Sequence, residues 1–207
     1  MTPENTAPIV NIVGERVALG PLRRDLLPLY LRWINDFTVT RYLGPGAWRP
    51  WTYEAETAWY DRVSRGEGRE VVFQIYERAT LRPIGTAGLH AIDHRHGTAE
   101  FGLLIGERDC WGQGYGTETT RLVLDYGFTA LGLHSIMLRV VSANTRAVRA
   151  YTRAGFRPIG RWRQAVRLGD RRYDVILMDC LATEFQSPVL AALLDEPASG
   201  PGLAPAP

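Results

Sequence analysis

The sequence predicts a mixed α/β domain in which a mostly antiparallel central sheet of about seven strands is flanked by about four helices. Three observations predict it. The elements read in the order β, α, α, three β, α, β, α, two β. An apolar run, Phe101 to Ile105, leads through the loop Cys110-Trp111-Gly112-Gln113-Gly114-Tyr115-Gly116-Thr117 into a helical pattern. Soon after that helix comes a second apolar strand, Ile136 to Val141, so the helix is expected to cross over between two parallel neighbours with a ligand at their C-terminal ends.

Taken in order, a leader over residues 1–10 precedes a single domain over 11–185, and Val10 to Leu19 alternates as a first strand. Arg23-Arg24-Asp25 opens a helical pattern through Leu26, Leu27, Tyr30, Leu31 and Ile34, with Pro28 early enough to be tolerated. Pro45 to Pro50 is a loop, and Thr52 caps a helix from Tyr53 to Ser64. Trp48, Trp51, Tyr53, Trp59 and Tyr60 crowd this region, either as a lid on the core or as the wall of a pocket.

Strands follow at Val71 to Tyr76, Pro83 to Ile92 and Thr98 to Ile105, an antiparallel meander entering the glycine loop. The helix Glu118 to Leu131 carries apolar residues at helical spacing and ends at Gly132. Beyond Ile136 to Val141, Asn144 caps a helix from Thr145 to Ala154 that Gly155 ends. Pro158 to Val166 and Tyr173 to Leu181 form a last hairpin around Gly169-Asp170. The Pro-, Gly- and Ala-rich stretch 186–207 is expected to be a flexible tail, apart from a helical turn at Val189 to Leu194.

The 207 residues are 45% hydrophobic and 22% charged, which suits one soluble domain with a sizeable core. A net charge of +2, with scattered basic residues, argues against a nucleic-acid partner. Every basic side chain in the Lys/Arg class is Arg. Cys110 and Cys180 fit neither a disulfide framework nor a metal spacing, and no apolar run is long enough to span a bilayer. A cytoplasmic protein without membrane contact is expected. Asp93, His94 and His96 share one polar turn but lack a fourth ligand, so no metal is expected there.

Glycines at alternate positions let successive N–H groups point inward at the positive end of the following helix, which makes a phosphate cradle; an ordinary tight turn has the same composition. The spacing here is G-x-G-x-G, and Val141-Ser142 stand where a dinucleotide site needs an acidic residue. Both points count against a dinucleotide-binding enzyme.

The pairing of this loop with Ser142-Ala143-Asn144, Ala147, Tyr151, Arg153 and Gly155-Phe156 resembles the GNAT superfamily of acyl-CoA N-acyltransferases. The resemblance runs from about Asn11 to Phe185. Trp33-Ile34-Asn35-Asp36 with Arg41-Tyr42 looks like the branch of ribosomal-protein alanine and polyamine acetyltransferases, while Ala99-Glu100-Phe101 and Leu131-Gly132-Leu133-His134 lean towards the polyamine type.

The resemblance implies a GNAT-like fold whose splayed parallel strands form an acyl-CoA cleft. The backbone of Trp111, Gly112, Gln113, Gly114, Tyr115, Gly116 and Thr117 would hold the cofactor pyrophosphate. The free edge Gly102, Leu103, Leu104, Ile105 would pair with the pantetheine arm and offer an amide to the thioester oxygen. Asn144 would contact the pantetheine or serve as a plain helix cap. Tyr151 matches the general acid that protonates the departing thiolate. Glu100, on the strand entering the loop, is the candidate base, or else an ion-pair partner of one of the Arg residues. Asn35, Asp36 and Tyr42 would lie at the acceptor site.

Some family members carry a Glu where this chain has Arg139, and others a Gln or Arg at Trp111 and a Ser at Ala147. Glu118, in the first helical turn, is expected to face away from the pyrophosphate. The implied reaction is direct acetyl transfer from acetyl-CoA to a primary amine: a polyamine, another small amine or a protein N-terminus. No metal, flavin or covalent enzyme intermediate is implied. A CoA-binding sensor without catalysis is the alternative. The exposed last hairpin offers a surface for a homodimer.

Overall fold

The computed structural model describes residues 7–66 and 69–195. Residues 1–6 of the expected leader and 196–207 of the expected tail lie outside the described residues. One eight-stranded sheet runs through the molecule in the order β1-β2-β3-β4-β5-β6-β8-β7. Its strands are β1 (Ile12–Val13), β2 (Val17–Pro21), β3 (Val71–Glu77), β4 (Pro83–Asp93), β5 (Thr98–Ile105), β6 (Ser135–Val141), β7 (Arg157–Leu168) and β8 (Arg171–Leu181). The extra strand is a correction: the expected single strand Val10 to Leu19 is a hairpin with Ile12 opposite Leu19. Apolar residues lie on both sides of its turn, so the alternation hid the reversal.

The helices are α1 (Leu27–Asn35), α2 (Phe37–Thr40), α3 (Tyr53–Ser64), α4 (Tyr115–Asp125), α5 (Thr145–Ala154) and α6 (Leu190–Leu194). Asp36 creates the unforeseen α2 by accepting from the Thr38 N–H at 2.8 Å. Thr52 caps α3 as expected, accepting from Ala55 N–H at 3.2 Å. α4 begins at Tyr115, before the expected Glu118, because Gly114 at φ +89° turns the chain directly into the helix. It does not stay α-helical to Leu131. Tyr126–Ala130 is a π-helical turn in which the Leu131 N–H reaches the Tyr126 carbonyl at 3.1 Å.

Alternate side chains of β5 feed two cores. Leu103 and Ile105 pack with the larger one, which includes Ile75, Leu89, Phe101, Leu122, Leu124, Ile136 and Phe156. Leu104 packs with Leu27, Tyr30, Trp33 and Trp59 of α1 and α3. The sheet is thus covered on both faces. Val189 and Leu190, in the expected tail, also pack against the larger core, and their N–H groups donate to Asp125 Oδ2 at 3.0 and 2.9 Å.

The feature that positions the site is the junction of β5 and β6, the sheet's parallel pair. They pair only at Thr98↔Ser135, Ala99↔Ile136 and Glu100↔Met137. Beyond Glu100, β5 stays registered on β4 as far as Gly85↔Ile105, while β6 follows β8 along its whole length. The two strands therefore part, leaving a wedge with backbone edges on both sides.

Candidate active site

The outer end of the wedge is the glycine loop. Gly112 at φ +80° and Gly114 at φ +89° hold a conformation that a side chain strongly disfavours. Among the described residues, no N–H from Gly112 to Thr117 has a protein acceptor, and the first to find one is Glu118, on the Gly114 carbonyl at 3.1 Å. These donors face the N-terminus of an 11-residue helix, as a pyrophosphate requires.

Two side chains set this loop in place. Trp111 Nε1 donates to the Ile105 carbonyl at 2.9 Å, and Tyr115 donates to Glu77 Oε1 at 2.6 Å, which pushes its phenol up to about 12. Glu118 turns away, as expected, and accepts the Arg16 N–H at 2.9 Å.

A cleft of about 240 Å³ runs from this loop along the wedge. Leu103, Leu104 and Ile105 form one wall, and Asn144, Ala147 and Tyr151 the other. Arg146, Arg149 and Arg153 of α5 also line it, with the Arg146 guanidinium 3.8 Å above the Trp111 ring. Arg146 and Arg149 escaped the sequence reading, and Arg153 entered it only as part of the motif, without a role in a cleft. Their spacing along one helix face was the available signal. Burial, then the nearby Arg41 charge, disfavours the charged form of Arg146, so an anion in the cleft would be welcomed.

Asn144 plays the capping role, accepting from the Ala147 N–H at 3.3 Å, and also lines the cleft. Tyr151 is buried among Phe101 and Phe156, with ring centroids at 5.9 and 6.1 Å. Desolvation pushes its phenol up to about 12, and among the described residues its hydroxyl has no hydrogen-bond partner. It is a protonated donor facing the wedge. Burial first and Asp109 second push the thiol of Cys110, beside the loop, up to about 11, which disfavours its thiolate.

On the opposite face of β5 lies a second cavity of about 290 Å³. Its walls are aromatic and aliphatic: Tyr30, Trp33, Trp51, Trp59, Leu43 and Val72 among them. Besides Tyr30, two titratable groups line it, Glu56 from α3 and His90 from β4. Glu56 is 5% exposed and meets no donor among the described residues, so desolvation pushes its carboxyl up to about 7. Leu103 and Leu104 border both cavities, and Gly102 lines this one.

Several sequence-predicted residues lie elsewhere. Asn35 spends its amide on Trp51, accepting its N–H at 3.0 Å and donating to its carbonyl at 3.1 Å; it holds the Trp51 segment over the aromatic cavity and does not line it. Asp36 caps α2, and Tyr42 lies under the Arg41 guanidinium at 4.9 Å. None of the three lines either cavity. Gln113 does not line the cleft either; its carbonyl accepts from Arg16 at 2.9 Å.

Glu100 forms a bidentate pair with Arg139, at 2.8 and 3.0 Å, so the Arg that replaces a family Glu is what holds it. Among the acidic side chains, Glu56 lines this cavity, whereas Asp93 and Asp174 are engaged by nearby backbone N–H groups and Arg side chains. No group of three or more potential metal ligands gathers among the described residues.

A family model described as an acetyltransferase (GNAT) domain matches residues 16–157. The chain belongs to the GNAT acetyltransferase family. The spermidine N(1)-acetyltransferase of Escherichia coli K12 is 33% identical over 145 residues, 68% of this chain and 72% of that protein. An uncharacterized N-acetyltransferase, p20 of Bacillus licheniformis, is 28% identical over 171 residues, covering 83% and 96%. Among solved structures, the spermidine N-acetyltransferase of Vibrio cholerae in complex with CoA and spermine superimposes with a TM-score of 0.74 at 26% identity, covering 83% of this chain and 98% of that one. The wedge and cradle of this GNAT chain thus belong to a fold whose solved relative holds CoA. No helix among the described residues is long and apolar enough to cross a membrane.

Proposed function

We propose that the protein transfers the acetyl group of acetyl-CoA to a primary amine by direct attack in a ternary complex. The observation that carries this reading is the wedge between β5 and β6, which opens at Glu100↔Met137 and has a cavity on each face of its β5 wall. The pyrophosphate sits on the amides of Gly112 to Thr117 beside Arg146 and Arg149, and the pantetheine arm pairs with the free edge of β5 as an added strand. An N–H of that edge holds the thioester oxygen as charge develops on it. Tyr151 gives its proton to the departing thiolate.

The acceptor enters the aromatic cavity. A single buried carboxylate, Glu56, matches a single ammonium, and the surrounding rings favour an apolar body next to that charge. A second reading, a polyamine, draws support from the relatives named as spermidine acetyltransferases and from the spermine in the Vibrio cholerae complex.

The test is a thiol-release assay with acetyl-CoA and three acceptors: 2-phenylethylamine, spermidine and a peptide N-terminus. A higher kcat/KM for 2-phenylethylamine than for spermidine supports the single-cation pocket. The reverse order assigns the polyamine, and acetylation of none of a broad amine panel overturns the enzyme reading in favour of a CoA-binding sensor.

A further inference from the structure

An amine is an ammonium ion at neutral pH and cannot attack until a base removes one proton. The residue expected to do this, Glu100, is clamped by Arg139 through both carboxylate oxygens. The structure holds another candidate at the inner end of the wedge. The pantetheine arm can advance along β5 only until the β5–β6 ladder closes at Glu100↔Met137. The acyl end must therefore stop beside Phe101 and Gly102.

His90 stands on β4 opposite Glu100 and diagonal to Gly102. Its imidazole lies over Gly102 so closely that a Cβ there would meet Nε2 at 3.0 Å. The glycine leaves this nitrogen room above the reacting edge. The other ring nitrogen, Nδ1, is 3.1 Å from Glu70 Oε2, and the second Glu70 oxygen is held by Arg62. A carboxylate on Nδ1 fixes the tautomer that carries its proton there and leaves the Nε2 lone pair free. His90 also lines the aromatic cavity, which brings its ring to an acceptor bound there.

We infer that His90, oriented by Glu70, is the general base that takes the ammonium proton of the acceptor at the inner end of the wedge. The inference rests on the acyl-transfer reading above. Nε2 accepts one proton from the ammonium, and the neutral nitrogen forms its bond to the thioester carbon. The C–S bond breaks as Tyr151 protonates the sulfur, the second nitrogen proton lost on collapse to the amide restores the Tyr151 phenol by way of solvent, and His90 returns its proton to solvent. One proton is released for each acetyl group transferred.

The groups facing His90 are consistent with a base that is neutral at pH 7. Burial, the largest influence, lowers its affinity for a proton from the ordinary 6.5; Glu100 on β5 opposes this and Arg62 of α3 reinforces it. Glu70 orients it from the segment before β3, and Glu56 of α3 shares the cavity. Glu70 is a positioning residue, because it acts through His90.

The experiment measures kcat against pH with 2-phenylethylamine and spermidine for wild type, His90→Gln, His90→Ala and Glu70→Gln. Thermal unfolding with CoA checks that each variant is folded and still binds. The expected result is a loss of kcat on the order of 100-fold or more in His90→Gln at pH 7. In the same variant the acidic limb of the kcat profile disappears, and imidazole partly restores His90→Ala.

A His90→Gln enzyme within about threefold of wild type, with the same pH profile, would overturn the base while leaving the acyl-transfer reading intact. Should wild type acetylate none of a broad amine panel, that reading fails separately, and NMR still decides the tautomer and charge of the histidine. An imidazole assigned through the His90→Gln spectrum, titrating below 6.5 with its proton on Nδ1 and losing that preference in Glu70→Gln, supports the inference. A His90 that is cationic at pH 7, or protonated on Nε2, contradicts it.

Discussion

At the scale of single residues, Glu56 and Tyr151 show how burial raises the proton affinity of an acidic group. Glu56 has traded water for aromatic neighbours, so its carboxyl binds a proton up to about pH 7 against an ordinary 4.5. The sign follows from linkage: the folded state holds this proton more tightly than the unfolded chain, so the stabilisation is full below 4.5 and is lost as pH rises through 7. In the absence of an amine, Glu56→Gln should therefore raise the melting temperature more at pH 8 than at pH 5, as differential scanning calorimetry would show. The same change should raise KM for a cationic amine and remove the rise in kcat/KM near pH 7, because only the ionised carboxylate attracts the ammonium. Tyr151→Phe should lower kcat by about 10²–10⁴, the range of a general acid, while titration calorimetry finds the same affinity for CoA. Tyr151 was legible because a motif surrounds it. That Glu56 and His90 share one cavity was not, since it depends on which strand and helix face each other there.

At the scale of elements, the site depends on joints. Gly106 ends β5 where the Trp33 ring of α1 crosses, and a Cβ at that point would sit 2.2 Å from the ring. Trp33 is also tied to this corner by its Nε1, which donates to Glu107 Oε1 at 2.9 Å. Gly106→Ala should destabilise the fold by about 1–3 kcal/mol through overpacking, a drop in melting temperature of roughly 2–12 °C at about 2–4 °C per kcal/mol. Asp125 makes a second joint. Its carboxylate, fully buried, receives the N–H groups of Val189 and Leu190 and the Thr129 hydroxyl. Truncation before Pro188 should therefore lower stability by about 1–3 kcal/mol in denaturant titration, since it strips partners from a buried acceptor. Composition made this stretch look like a loose tail because a docking carboxylate more than 60 residues away leaves no local trace. The main elements themselves were readable: alternation, helical spacing and the caps Thr52, Asn144 and Gly155 are local signals. The π-helical turn after α4 was not readable, because tertiary packing and not propensity decides it.

At the scale of the whole molecule, a sheet that is antiparallel except at one junction has one place where two neighbouring strands can part after three residue pairs. The crossover helix α4 puts its positive end and the glycine loop at the mouth of that wedge, and β5 separates the cleft along the wedge from the aromatic cavity. The order of elements foretold the parallel crossover, and the glycines foretold the tight turn into α4. The depth of the wedge and the lining of the aromatic cavity required the register of β4, β5 and β6. The measurement that tests this arrangement most directly is thermal unfolding with acetyl-CoA, CoA or NAD at millimolar concentration. A ligand at 100 times its Kd adds about 2.7 kcal/mol of stability, so both CoA species should raise the melting temperature by roughly 5–10 °C and NAD should leave it unchanged. No shift with either CoA species, together with stabilisation by NAD, would contradict the wedge as an acyl-CoA site.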